Sequence, residues 1–205
     1  MSMKPNPICT LLLAVALAFP SCAEPSVESS ASQGCTTLKD AVILIIRHAE
    51  KPESGYELSP AGQKRAEAYV GYFKNFTLDS QPFKFDYLFA TADSKSSHRP
   101  RLTLEPLSQA LALKLDVRFK NKQFQDLTHE LQSQDHGKHI LIAWHHGEIA
   151  ELAESLGASP AALLPKGKWP PEEYGWVLQL RYDHAGRLIA EQTKCIHEKL
   201  MPGDD

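Results

Sequence analysis

Four short runs of aliphatic, aromatic and β-branched residues recur along the chain, separated by longer segments in which apolar positions follow helical spacing. The runs are "AVILIIR" (41–47), "FDYLFAT" (85–91), "LDVRFK" (115–120) and "HILIAWH" (139–145). Strands that alternate with helices are typical of an α/β domain, in which helices cover both faces of the sheet. The unbroken first and fourth runs favour central strands buried on both sides. The pattern therefore predicts a three-layer α/β/α sandwich with a mostly parallel central sheet.

Local signals add helix boundaries and a C-terminal hairpin to this sandwich. Ser59 and Pro60 predict a helix start, with Ser59 as the cap and Pro60 at the first helical position. Further helices are predicted over about 97–113, interrupted near the start by Pro100, and after Gly147. Near the end of the chain, "WVLQLRYD" and "RLIAEQT" flank the turn "HAG", which predicts a terminal hairpin.

The first 23 residues have the pattern of a signal peptide. Lys4 precedes the apolar run "ICTLLLAVALAF", which is too short to span a bilayer but has the length of a signal-peptide core. The following "PSCAEP" allows two routes: cleavage after Ala23, or cleavage before Cys22 with a lipid attached to that cysteine. Residues 24–38 predict a flexible tether, and the folded domain is expected over 39–200. We therefore expect an exported protein, periplasmic or envelope-anchored if bacterial, with a membrane contact only if Cys22 is lipidated.

Charge narrows the range of partners. The 205 residues carry 22 Lys and Arg against 25 Asp and Glu, a formal net charge of −3, and the basic residues are scattered among the acids. No basic face is available to neutralise a nucleic-acid backbone. Nucleic acid is therefore not expected as a partner, and any recognition of phosphate must come from a local cluster.

Two cysteines remain after the expected processing. Cys35 precedes the first predicted strand and Cys195 follows the last one. An oxidising compartment would allow a disulfide between them that ties the two ends of the domain together, and the alternative is two free structural thiols.

Histidines end both of the strongest predicted strands, His48 after the first and His145 and His146 after the fourth. Ligands of α/β sheets bind beyond the carboxyl ends of the strands, so these side chains are candidates for a site. Metal binding is disfavoured, because adjacent histidines on a strand would point to opposite faces and no metal-ligand spacing is present. Arg47 offers a planar donor fork, which suits a phosphoryl group.

Four motifs resemble those of the histidine phosphatase superfamily, which includes phosphoglycerate mutases and acid phosphatases. They are "RHAE" (47–50), "LSPAGQKRA" (58–66) with Gly62 in place, "RPRLT" (99–103) with Pro100 where alanine is usual, and "WHHGEI" (144–149). The four occur in the family's order and cover most of the predicted domain.

The resemblance implies a role for each matching residue. His48 would be the nucleophile that forms a phosphohistidine, and Arg47, Arg99 and His146 would hold the phosphoryl oxygens. His145 is expected to be a pocket-wall or structural residue. Neither a metal nor another cofactor is implied.

Other parts of the site are less defined by the resemblance. Asp126, Glu130 and Glu148 are the candidate general acids, among which the sequence does not choose. Lys51 and Tyr56, together with the loop that contains Trp169, are expected to wall the pocket.

The expected activity is hydrolysis of a small phosphate monoester by a phosphatase that needs no metal. One alternative is a phosphatase of phosphohistidine in proteins, and another is a non-catalytic, envelope-anchored domain that binds a phosphorylated ligand. No clear counterpart of the substrate-gripping insertions of mutases is present, which favours hydrolysis over transfer.

Overall fold

The structure, a computed structural model, describes Met1 and residues 36–204. The predicted signal peptide, the lipid site at Cys22 and most of the tether lie outside the described residues. Within 36–204, none of the helices combines the length and the hydropathy needed to cross a bilayer.

Eight strands and five helices make up the described part of the chain. The strands are β1 (Val42–Arg47), β2 (Thr77–Leu78), β3 (Gln81–Pro82), β4 (Tyr87–Ala90), β5 (Leu115–Asp116), β6 (His139–Trp144), β7 (Trp176–Arg181) and β8 (Lys194–His197). The helices are α1 (Pro60–Lys74), α2 (Arg99–Leu111), α3 (Phe124–Ser133), α4 (His146–Ser155) and α5 (Pro160–Leu163), with 3-10 turns at Pro165–Gly167 and Ala190–Gln192.

Six of the strands form one sheet in the order β5-β4-β6-β1-β7-β8. The first four are mutually parallel, whereas β7 runs antiparallel to β1 and β8 antiparallel to β7. Strands β2 and β3 form a separate two-stranded ribbon. The predicted class is confirmed: a largely parallel central sheet ends in an antiparallel C-terminal pair.

Both faces of the sheet are covered, because the side chains of β1 alternate between two apolar clusters. Ile43 and Ile45 belong to the cluster that includes apolar residues of α3 and α4. Leu44 and Ile46 belong to the cluster that includes those of α1 and α2. All four are fully buried, which places β1 in the middle of the three layers, as its unbroken aliphatic sequence predicts.

The start of α1 agrees with the sequence signals. The Ser59 hydroxyl accepts a hydrogen bond from the backbone N–H of Gly62 (3.1 Å), and Pro60 is the first helical residue. The backbone N–H of Ser59 donates to the carbonyl of Glu50 (2.9 Å). The cap therefore fixes α1 against the loop that follows β1.

The C-terminal hairpin differs from the prediction. In "RLIAEQT", Leu188 forms one isolated bridge with Tyr182, and Ala190–Gln192 is a 3-10 turn. This turn takes the chain out of register with β7, so pairing resumes only at Lys194. Cys195, expected after the last strand, consequently lies inside β8 and is half-buried. Cys35 lies outside the described residues, so the disulfide between them stays a prediction.

Candidate active site

The carboxyl ends of β1 and β6 meet at one edge of the sheet. The two strands are parallel neighbours with Arg47 opposite Trp144, and the backbone N–H of His48 donates to the carbonyl of Trp144 (3.0 Å). This pairing brings Arg47 and His48 beside His145 and His146, as the sequence predicts for two adjacent strands that end in histidine.

The geometry expected for the histidine pair was wrong. Strand β6 ends at Trp144, and α4 begins at His146, so the two histidines do not alternate across a strand. Both line the same cavity. Within residues 36–204, no group of three or more His, Cys, Asp or Glu side chains is placed to hold a metal ion.

His48 is held in one tautomer by its own loop. Its Nδ1 lies 2.7 Å from the carbonyl oxygen of Ala49. Because a carbonyl can only accept, Nδ1 carries the proton and Nε2 keeps its lone pair. Burial, together with the smaller effects of His145, Arg47 and Arg99, lowers the pKa of His48 to about 2 against the opposing effect of this hydrogen bond. The ring is therefore neutral and available as a nucleophile over the physiological pH range.

Arg47 is buried and oriented by the loop before β7. Its Nη1 donates to the carbonyls of Pro171 (2.5 Å) and Glu173 (2.8 Å), and the guanidinium carbon lies 3.7 Å from the centroid of the Tyr174 ring. Its Nε is buried without a hydrogen-bond partner among the described residues. Arg47 lines the cavity, so part of its donor fork remains available to a bound anion.

Arg99 faces the same cavity from the first turn of α2. Its Nη1 donates to the carbonyl of Gly55 (3.2 Å), and its Nε is also buried without a partner in the described part of the chain. Pro100 occupies the first turn of α2 and does not interrupt the helix, because no intrahelical N–H bond is needed there. Sequence reasoning missed Thr103, whose hydroxyl donates to the carbonyl of Arg99 and accepts from the N–H of Ala49, both at 2.8 Å.

The two histidines at the start of α4 occupy different positions. The His145 ring lies edge-on to the His48 ring, with 5.0 Å between centroids, and burial followed by the charge of Arg99 lowers the pKa of His145 to about 4. His146 also lines the cavity, and its Nδ1 is enclosed without a partner among the described residues. Sequence reasoning gave the catalytic role to His146 and a wall position to His145, but the ring beside His48 is that of His145.

The cavity has a volume of about 360 Å³, and most of the residues that line it are polar. Besides the residues described above, its lining includes Lys51, Ser94, Ser96, Ser97, Asn121, Gly147 and Glu148. The N-terminal end of α4 adds to the positive potential of two arginines and a lysine. The arrangement suits a small anion with several oxygen atoms.

The sequence did not predict that Ser94, Ser96 and Ser97 line the cavity, although the polar run "DSKSS" (93–97) before "RPRLT" is a signal for them. Lys51 lines the cavity as predicted. Tyr56 does not: its ring is 46% exposed and packs on His98, with 4.5 Å between centroids. Trp169 lines a second cavity of about 510 Å³, which shares His146 and Gly147 with the first.

The candidate acids are engaged elsewhere. Asp126 accepts from the side-chain amide of Gln123, and Glu130 is bound by Arg118 and His136; neither lines the cavity. Glu148 does line it, but its carboxylate accepts from the amide of Asn121 (2.5 Å) and from the ammonium group of Lys122. Both carboxylate oxygens of Glu148 are thus already engaged by donors outside the phosphate-binding arginines.

Comparison with solved structures defines the class of fold. A putative alpha-ribazole-5'-P phosphatase from Escherichia coli aligns with a TM-score of 0.53 at 12% identity, over 80% of this chain and 98% of that chain. A phosphoglycerate mutase from Plasmodium falciparum aligns with a TM-score of 0.50 at 16% identity, over 73% and 87%. No protein-family model and no curated protein sequence matches the chain. The protein thus has the fold of the histidine phosphatase superfamily.

Proposed function

We propose that the protein is an exported phosphatase that hydrolyses a small phosphate monoester through a phosphohistidine on His48. The observation that carries the proposal is the state of His48: its Nδ1–H donates a hydrogen bond to the Ala49 carbonyl, and its neutral ring lies in a cavity lined by Arg47 and Arg99. A neutral imidazole next to fixed positive charges is suited to attack a phosphorus atom that carries negative oxygens.

The reaction would proceed in two displacements. Nε2 of His48 donates its electron pair to phosphorus, and the bond from phosphorus to the leaving oxygen breaks, with its electrons staying on that oxygen. Water then attacks phosphorus, the bond between nitrogen and phosphorus breaks, and inorganic phosphate leaves. Arg47 and Arg99 stabilise the charge on the phosphoryl oxygens in both steps, and the ring N–H of His145 is near enough to His48 to assist.

Two sequence features support a phosphatase of small substrates over the alternatives. Export would separate the protein from cytoplasmic phosphorelay partners, which disfavours action on phosphohistidine in proteins. The chain also lacks a clear counterpart of the insertions that grip substrate in mutases.

The test is turnover of 4-nitrophenyl phosphate by the purified protein, compared with His48→Ala and with His129→Gln as a control on the exposed face of α3. We expect turnover by the parent protein and the control, no turnover by His48→Ala, and a phosphoprotein that is stable to alkali and labile to acid. EDTA should leave the rate unchanged, because the arginines supply the positive charge. Phosphate binding without turnover in the parent protein would instead indicate a binding domain.

A further inference from the structure

The proposed reaction lacks one component, a donor for the proton that an alkoxide leaving group needs. The carboxyl groups of Asp126 and Glu130 lie outside the cavity, and both oxygens of Glu148 are engaged by Lys122 and Asn121. Arginine does not give up its proton in proteins, and the ring of His48 is the nucleophile. The proton donor is therefore expected among the other residues that line the cavity.

We propose that His146 is the general acid and that the second cavity receives the organic part of the substrate, a phosphate monoester of an aliphatic or polyhydroxy alcohol. This inference rests on the proposed phosphatase function. It assigns His146 a task different from that of Arg47 and Arg99, which hold the phosphoryl group.

The position of His146 carries the inference. His146 and Gly147 line both cavities, so they form the boundary between the phosphate site and the second cavity. A substrate with its phosphoryl group at His48 and its organic part in the second cavity would have its ester oxygen at this boundary. The second cavity has room for such a group, with apolar surface from Ala150, Pro160, Ala161 and Trp169 and carboxylates from Glu151 and Glu154.

His145 is a poorer candidate, because its ring is packed against His48 on the phosphate side and it does not line the second cavity. The Nδ1 of His146, in contrast, has no partner among the described residues, so no contact within them fixes its proton.

The charges around His146 make it a ready donor. Burial, Arg47 and Lys51 lower the pKa of His146. Glu148, on the same helix, and Glu172, in the loop before β7, raise it. The imidazolium form is thus a stronger acid than free histidine, and a bound phosphate dianion would favour this form during turnover.

The proton balance of the step is simple. As the bond from phosphorus to the ester oxygen breaks, the His146 imidazolium transfers its proton to that oxygen, which leaves as a neutral alcohol. His146 is then a neutral imidazole, and it takes a proton from the water molecule that attacks the phosphohistidine. This transfer restores the imidazolium form, and the bond between His48 and phosphorus breaks to release inorganic phosphate.

The test compares two substrates that differ in their need for an acid: 4-nitrophenyl phosphate, whose leaving group is stable as an anion, and glycerol 2-phosphate, whose alkoxide must be protonated. For His146→Gln, we expect kcat for glycerol 2-phosphate to fall by about 100-fold or more and kcat for the aryl ester by less than about tenfold. For His145→Gln, both rates should fall by similar factors, because a contact with the phosphoryl group serves both substrates.

The pH profile provides a second readout. With glycerol 2-phosphate, kcat should decrease as the pH rises through the pKa of His146 in the substrate complex, and this limb should vanish in His146→Gln. Ionisation of the substrate is common to both proteins and cancels in the comparison. Equal losses for both substrates, or an unchanged pH limb, would refute His146 as the acid; no turnover by the parent protein would refute the phosphatase itself.

A separate pair of variants tests whether the organic part of the substrate binds in the second cavity. Ala161→Phe would place a ring in the second cavity, whereas Ala162→Phe alters a neighbouring exposed residue that does not line it. We expect the first variant to raise KM for glycerol 2-phosphate several-fold and the second to leave it unchanged. Equal KM values for the two variants would mean that the organic part binds elsewhere.

Discussion

Arg65 shows how a single buried charge connects distant parts of the chain. Its side chain is 2% exposed and contacts three carboxylates: Glu50 (2.8 Å), Glu198 (3.1 Å) and Asp204 (2.7 Å). Glu50 is two residues beyond His48, so the network anchors the loop that follows His48. The sequence places Arg65 three residues after Gly62, in the same motif, but partners more than 130 positions away cannot be read from local patterns.

Glu198 is the member of this network whose negative charge is most disfavoured by burial. Burial and the smaller effect of the Asp204 charge raise its pKa to about 7, against the opposing effects of the Tyr69 hydroxyl and Arg65. Between the unfolded pKa of 4.5 and the folded value, the folded state binds more protons than the unfolded state. The contribution to stability is therefore fully present below pH 4.5 and is lost as the pH rises through 7.

Replacing this carboxyl by a neutral group should remove the pH dependence. We expect Glu198→Gln to raise the free energy of unfolding at pH 8 by on the order of 2 kcal/mol relative to the parent protein and to change it little at pH 4. Urea denaturation at the two pH values measures the difference, with the exposed Glu67→Gln on α1 as the control. A loss of stability at pH 8 would show that Arg65 needs the ionised partner.

At the scale of elements, the sequence predicted strands and helices correctly where a local signal determines them. The aliphatic runs of β1 and β6 and the Ser59 cap of α1 were predictable because each signal is local. The run 115–120 was not: Asp116 accepts from the backbone N–H of Arg118 (3.0 Å), which turns the chain after two strand residues. A contact of this kind between a side chain and the backbone leaves no periodic pattern in the sequence, so the early end of the strand could not be predicted.

The packing of α1 on the active-site loop depends on Gly62. A Cβ atom at this position would lie 2.4 Å from the carbonyl oxygen of Glu50, a backbone atom that cannot move without shifting the loop after His48. Gly71 on the same helix has nothing within 4 Å of such a Cβ atom. Alanine substitution at Gly62 therefore tests the close contact with the loop, whereas alanine substitution at Gly71 tests helix propensity alone.

We expect Gly62→Ala to destabilise the protein by about 2 kcal/mol or more and to lower kcat, because the substitution displaces the loop. Gly71→Ala should be neutral or stabilising by up to about 1 kcal/mol, because alanine favours the helix. Thermal unfolding and aryl phosphate turnover report both effects. Equal behaviour of the two variants would contradict the packing argument.

For the whole molecule, the order of strands assembles the site. Arg47 and His48 come from β1, Arg99 from the start of α2, and His145 and His146 from the junction of β6 and α4, and the sheet brings all of them to one edge. The motifs identified these residues, but they did not distinguish the places of the two histidines, which depend on where β6 ends.

The described fold also continues beyond residue 200, the expected end of the domain. Asp204 accepts from Nη1 and Nη2 of Arg65 and from the backbone N–H groups of Leu200 (3.0 Å) and Met201 (2.9 Å). Its side chain is 8% exposed. The last described residues are therefore held against Arg65, which also binds Glu50 in the loop after His48.

Removal of this contact should destabilise the protein, because Arg65 would lose one of its partners while remaining buried. We expect Asp204→Ala to lower the free energy of unfolding by roughly 2–4 kcal/mol, a loss that relief of the repulsion with Glu198 reduces but does not cancel. Asp79→Ala is the control, since Asp79 pairs with Arg181 at 2.7 Å but is 69% exposed, and should change stability by less than about 0.5 kcal/mol. Urea denaturation at pH 7 measures both, and a loss for Asp204→Ala no larger than that of the control would mean that Glu50 and Glu198 alone satisfy Arg65.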